Sequence, residues 1–227
     1  MMLPAEARWF AARIRELGDE QVFPLLNVGS QTAAFRSREQ PWIDRHIFRP
    51  AVSRQRTIVH TDLQAAEGVD LVGDLTDPAF LQELSRRKFR SVICSNLLEH
   101  VTAPDQIARG VLEAVEPGGY LLLSVPNTFP YHPDPIDTMY RPSPEELASL
   151  FPGTTIVRAD RLRCGNLTTY MIRRAIGDPG MLTRTFIRRR KQVTTTTTEG
   201  LSAWQWLPWL VRPFYAACVL LRKEVHS

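Results

Sequence analysis

From residue 22 to residue 125, short apolar runs rich in β-branched side chains alternate with stretches of helical period. Val22 to Val28, Thr57 to His60, Val69 to Val72, Val92 to Cys94 and Tyr120 to Val125 are too short for helices and read as strands. The first is apolar enough to be buried on both faces. Between them, Asp77-Pro78 offers an N-cap followed by proline at the first helical position. Phe80, Leu81 and Leu84 carry that helix's apolar face on to a basic end at Arg86-Arg87-Lys88. Ile107, Val111, Leu112 and Val115 line another helix, read as ending at Pro117-Gly118-Gly119. Strands joined through helices must run parallel with right-handed crossovers, because a tight turn cannot connect parallel neighbours. The pattern therefore predicts a doubly wound α/β sheet.

The flanking segments extend this plan. Trp9, Phe10, Ile14 and Leu17 recur at helical spacing, and Gly18 follows where a C-terminal cap belongs. Phe35, Trp42, Ile43, Ile47 and Phe48 keep a broken helical period around Pro41. Thr155 to Ala159 and Ala216 to Leu221 read as a closing pair of strands, with a helical insertion over residues 166–212 that contains the exposed run Thr194 to Thr198. A chain of 227 residues suffices for one sizeable core, and a single domain over residues 1–227 is expected.

A net charge of +4 is too small for a nucleic-acid signature, so no nucleic-acid partner is expected. Cys94, Cys164 and Cys218 are few, odd in number and without a C-x-x-C pair, which fits a reducing, cytoplasmic setting. Met1 to Gly18 lacks the apolar centre of a signal peptide, and Pro208, Arg212 and Pro213 interrupt the apolar tract from Leu201 to Leu221, so no membrane span is expected.

Ligands of open α/β sheets bind beyond the carboxyl ends of the strands, where the strand order reverses. Asn27-Val28-Gly29-Ser30 ends the first strand, and Gly29 lets backbone approach a ligand closely. Asp62 follows the second strand, where a carboxylate can accept from both hydroxyls of a ribose. Asp74-Leu75 follows the third, with an acid for an exocyclic amine and an apolar side chain for a purine face. Ser95-Asn96 follows the fourth, near the amino-acid end of such a ligand.

Leu26 to Ser30, Val59 to Asp62, Gly68 to Asp77, Val92 to Val101 (VICSNLLEHV) and Val115 to Asn127 (VEPGGYLLLSVPN) resemble the successive motifs of class I methyltransferases, most closely the small bacterial type 11-like domains. YHPDPIDTMYRPSPEEL is similar to the segment after the fifth strand in that family. The resemblance covers most of residues 22–165. It implies S-adenosyl-L-methionine as cofactor and a seven-stranded sheet of order 3-2-1-4-5-7-6 with the last strand antiparallel. It also implies that Asn27, Gly29, Ser30, Asp62, Asp74, Leu75, Ser95 and Asn96 surround the cofactor.

The first loop departs from the family pattern, since Gly29 is followed by Ser30, Gln31, Thr32, Ala33 and Ala34 rather than by further glycines. Two readings stay open: small residues preserve the turn, or the domain binds without turnover. The expected reaction is O-methylation of a small-molecule, glycan or lipid hydroxyl, with His132, Asp134 and His100 as titratable groups within reach of the acceptor. A structural role at the next helix fits His100 better than catalysis, whereas for His132 in its proline-rich loop the two roles are evenly matched. A nicotinamide-dependent oxidoreductase is disfavoured by the lack of G-x-G-x-x-G. No tight ligand spacing points to a metal. Arg188 to Lys191 followed by Trp204, Trp206 and Trp209 could rest on an anionic membrane surface or form a solvated face.

Overall fold

The computed structural model describes residues 1–132, 136–177 and 206–225. Asp134, Arg188 to Lys191, Thr194 to Thr198 and Trp204, on which expectations were placed above, lie outside these residues. The chain begins with α1 (Pro4–Leu17) and α2 (Asp19–Val22), which lead into β1 (Leu25–Val28). Wide π-type turns at Phe35–Glu39 and Asp44–Phe48 alternate with α3 (Pro41–Ile43) and α4 (Arg49–Val52). There follow β2 (Ile58–Asp62), β3 (Leu71–Val72), α5 (Pro78–Arg86), β4 (Phe89–Ser95), α6 (Pro104–Glu113) and β5 (Val115–Thr128). The remainder is α7 (Pro144–Ser149), β6 (Thr154–Arg163), α8 (Leu167–Gly177) and β7 (Tyr215–Lys223).

Among the described residues the strands form one seven-stranded sheet of order β3-β2-β1-β4-β5-β7-β6. The first five pair in parallel, and β7 runs antiparallel to both β5 and β6. The sheet is the one the alternation and the resemblance imply.

Side chains of period two sort the apolar residues onto its two faces. Leu26, Val92, Leu121 and Leu123 pack with Phe80 and Leu84 of α5, Val111 of α6 and Leu147 of α7. Leu25, Ile93 and Leu122 pack on the opposite face with Phe10 and Ile14 of α1 and with Ile43, Ile47 and Phe48. Burial on both faces is why the central strands are continuous apolar runs. Asp77 caps α5 by accepting from Ala79 N at 3.0 Å, as its Asp-Pro sequence predicts. Cys94 is a packed core residue whose thiol is pushed up to about 12 by burial.

Several boundaries differ from the sequence reading, and three of the differences have a clear structural reason. Val22 closes the short α2 rather than opening a strand, so β1 starts at Leu25. Helix α6 ends at Glu113, and Pro117-Gly118-Gly119 lies within β5, beside a register shift in its pairing with β4. Glycine is required there because a Cβ on Gly119 would stand 2.6 Å from the Arg90 carbonyl oxygen. The apolar tract near Trp206 supplies a single 3-10 turn, Leu207–Leu210, before β7. Among the described residues no helix is long and apolar enough to cross a membrane.

Candidate active site

On the face that α1 covers, each of the three central strands turns from apolar to polar at its carboxyl end. Leu25 is followed two residues on by Asn27, Ile93 by Ser95, and Leu122 by Ser124. Register pairs Ser95 with Ser124, whereas Asn27 lies opposite Ile93, one side-chain step earlier along the same face. Asn27 Nδ2 donates to His60 Nδ1 at 3.0 Å, so the His60 imidazole accepts there.

At the end of β1, Gly29 adopts φ +62, and an added Cβ would meet the Leu97 side chain at 3.3 Å. Ser30 is buried, and its N–H donates to the Thr61 carbonyl at 3.0 Å. Asp62 accepts from Gln31 N at 2.9 Å, so the acid at the end of β2 is aimed at the turn after β1. This turn is braced by Arg36. Its buried guanidinium donates to the carbonyls of Ser30 at 2.9 Å, Gln31 at 2.6 Å and Gly68 at 2.7 Å, lacing the first loop to the β2–β3 loop. Close approach is secured from the other side by Gly68, at φ +82, where a Cβ would stand 2.6 Å from that of Ala33. Burial lowers the Arg36 pKa, offset by the surrounding charges of Asp70, Asp44 and Asp62.

Asp74 is exposed at the same edge and accepts from both Thr76 N and Thr76 Oγ1 at 2.8 Å. Leu75 is buried in the core beneath α6.

Ser95 and Asn96 meet a residue the sequence reading did not single out. Glu6, in the first turn of α1, is 1 % exposed and accepts from Leu3 N at 2.7 Å, Ser124 Oγ at 2.9 Å and Asn96 Nδ2 at 3.0 Å. Ser95 Oγ lies 2.8 Å from Ser124 Oγ and accepts from Asn96 Nδ2 at 2.9 Å. Burial raises the Glu6 pKa, and the three donors oppose that shift. In sequence Glu6 reads only as an acid in a helix's first turn; its partners are about 90 and 118 residues away.

Beyond these polar residues, Glu99 and His100 occupy a 3-10 turn, Leu98–His100, and His132 stands in the segment after β5. His100 Nε2 is 3.6 Å from Glu99 Oε1, and the two imidazoles meet edge to face at 5.2 Å. Glu99 is fully buried, neither carboxylate oxygen has a hydrogen-bond partner, and burial pushes its pKa up to about 7. Burial likewise lowers the pKa of His132, leaving it neutral near pH 7. A small cleft of about 10 Å³, room for one water, is lined by Leu3, Glu6, Asn96, Phe129, His132 and Tyr215. The structure thus gathers His100 and His132 at one place and Asn27, Gly29, Ser30 and Asp62 at another, with Ser95 and Asn96 between them. His100 does not cap the next helix, which begins at Pro104; it ties the turn to the segment after β5.

A family model described as a methyltransferase domain matches residues 26–160. The chain belongs to that methyltransferase-domain family. No curated protein sequence matches it. Among solved structures, this methyltransferase domain is similar to the [4+2]-cyclase SpnF (14% identity, 94% of this chain and 82% of that one, TM-score 0.53). It is also similar to coclaurine N-methyltransferase bound to N-methylheliamine and SAH (14%, 94% and 70%, 0.52). A third is a SAM-dependent methyltransferase from Archaeoglobus fulgidus (11%, 96% and 94%, 0.50). At such identities the likeness is one of fold.

One consequence for the methyltransferase domain concerns His60, which burial and the Arg36 charge push down to about 4. Below pH 6.5 the unfolded chain takes up a proton that the native imidazole refuses until about pH 4. Stability is therefore intact above pH 6.5 and falls as pH drops through this window, by about 2–3 kcal/mol. Urea unfolding at several pH values should show this slope in the native chain and a flatter one in His60→Gln. Equal slopes would remove His60 as the cause.

Proposed function

We propose that the domain transfers a methyl group from S-adenosyl-L-methionine to a hydroxyl oxygen of a small-molecule, glycan or lipid acceptor. The observation that carries this reading is the pairing of Asp62 with the turn at Gly29 through Gln31 N, with Asp74 exposed at the same sheet edge. Two carboxylates trailing neighbouring parallel strands suit a nucleoside, Asp62 for its ribose hydroxyls and Asp74 for the exocyclic amine. Asn27 and Ser30 at the end of β1 and Ser95 and Asn96 at the end of β4 add polar groups on the side towards His132. When bound, the cofactor supplies a methyl carbon on a positively charged sulfur. The acceptor oxygen attacks that carbon as the carbon–sulfur bond breaks, and the hydroxyl proton must leave. The protein's part is to hold the oxygen in line and to receive the proton. We assign the receipt of that proton to His132, whose pKa burial lowers, and to His100, whose ring meets it edge to face.

A second reading, binding without turnover, draws support from Glu6, which already engages the amide of Asn96 and the hydroxyl of Ser124. Calorimetry with S-adenosyl-L-methionine and S-adenosyl-L-homocysteine separates these readings from failure of both. Loss of two hydrogen bonds to a charged acceptor should weaken binding about 100-fold in Asp62→Ala. Binding without methyl transfer to any hydroxyl acceptor would favour the second reading. Unchanged affinity in Asp62→Ala, or silence from a folded native chain, would overturn the nucleoside site itself.

A further inference from the structure

We propose that Glu99, His100 and His132 form a binding site for a first-row divalent transition-metal ion, with Zn²⁺ as the reference case. Their donor atoms lie within 4.8 Å of one another, brought together from the turn after β4 and the segment after β5. A tetrahedral ion with bonds of about 2.0–2.1 Å holds its ligands roughly 3.3–3.4 Å apart. The 3.6 Å between His100 Nε2 and Glu99 Oε1 is already close to that spacing. The other donor separations are at most 4.8 Å, so drawing His132 onto the ion calls for a side-chain adjustment.

Three independent features favour an ion over a chance cluster. First, both Glu99 oxygens are buried and lack hydrogen-bond partners, although a carboxylate so placed ordinarily loses several kcal/mol without them. An ion would take one of them as a ligand and neutralise the charge they share. Secondly, each imidazole has its Nδ1 engaged elsewhere. His100 Nδ1 donates to the Ile136 carbonyl at 2.5 Å, and His132 Nδ1 lies 3.1 Å from the Pro130 carbonyl and 3.0 Å from Asp137 Oδ2. A carbonyl can only accept, so Nδ1 carries the proton and Nε2 keeps a free lone pair on both rings. That is the outer arrangement by which metal-binding histidines are oriented. Thirdly, the support is itself held: Arg141 donates to both oxygens of Asp137, and Thr138 N and Oγ1 donate to the Glu99 carbonyl at 2.9 and 3.1 Å.

Two imidazoles and one carboxylate select zinc-like ions over Mg²⁺ or Ca²⁺, which prefer oxygen throughout. Three protein ligands leave a position open, and His132 borders the cleft beside Asn96, so water or a substrate oxygen would fill it. With an ion present the imidazoles act as its ligands, and the ion acidifies a bound hydroxyl in their place. This deepens the methyl-transfer reading, but ion binding is measured without cofactor or acceptor, so either idea can fail alone.

The test is titration of the chelator-stripped full chain with Co²⁺ and Zn²⁺. One equivalent should bind at micromolar concentration or tighter, Co²⁺ giving the visible absorption of a low-coordinate site that Zn²⁺ displaces. Glu99→Gln and the partly exposed His132→Ala should each weaken binding about 100-fold or more. If Glu99→Gln fails to fold, His132→Ala decides. No saturable binding, a spectrum unchanged in His132→Ala, or preference for Mg²⁺ over Zn²⁺ would overturn the assignment.

Discussion

Arg36→Met is expected to lower stability by about 3–5 kcal/mol and to weaken binding of S-adenosyl-L-homocysteine without altering any residue assigned above to the proposed nucleoside site. Methionine keeps most of the apolar volume of the arginine stem, so the loss is one of hydrogen bonding rather than of packing. Three backbone carbonyls, of Ser30, Gln31 and Gly68, lose their donor together. An acceptor left unpaired in the interior costs about 1–3 kcal/mol, and relief from burying the guanidinium offsets only part of three such losses. The stem also spans two loops, so its removal frees the turn that presents Gly29 and the Gln31 N–H that fixes Asp62. Lysine is no substitute, because one ammonium cannot match a planar fork with donors on two nitrogens. Urea unfolding gives the stability change, and calorimetry with S-adenosyl-L-homocysteine the affinity. A loss below about 1 kcal/mol with unchanged affinity would show that the loop keeps its shape without the guanidinium.

The role of Arg36 also marks where sequence reasoning stops. The sheet was legible because its signals are local: Leu121 and Leu122 declare burial on both faces by adjacency alone, and Asp77-Pro78 announces the start of α5. Asp62 could be placed because a strand end is a local feature. Pro117-Gly118-Gly119 misled for a physical reason. The pair that ordinarily stops a helix is used here to let β5 pass the Arg90 carbonyl, a demand made by a neighbouring strand. Glu6 and Arg36 were invisible because contacts that fix them, to Asn96 and Ser124 for Glu6 and to Gly68 for Arg36, join segments far apart in the chain. Glu99 lay inside a motif read for its strand and its histidine. Its isolation depends on what Leu98 and the segment after β5 bury around it, which no spacing rule contains.

Gly110→Ala should be the most damaging single-methyl addition in the α5–α6 layer. Alanine is favoured over glycine in a helix by about 1 kcal/mol, so propensity alone predicts a gain in α6. The surroundings reverse it. A Cβ at Gly110 would stand 2.2 Å from the Leu75 carbonyl oxygen and 3.1 Å from Leu75 Cβ. The nearer contact is more than 1 Å inside van der Waals range, and it is made with backbone, which has no flexible tip to yield. Overpacking of this kind costs about 1–3 kcal/mol, and more where the main chain itself must move, so a net loss of about 3 kcal/mol is expected despite the helix term. The displaced segment matters for function, because Asp74 and Leu75 are adjacent. Pushing Leu75 off α6 carries the exposed carboxylate away from the edge it shares with Asp62. Affinity for S-adenosyl-L-homocysteine should therefore fall along with stability, whereas alanine at the exposed Gln106 on the same helix should leave both nearly unchanged. If Gly110→Ala unfolds at the native urea concentration, α6 has slack over the loop. If it is destabilised but binds normally, Asp74 is not held in place by the core beneath it.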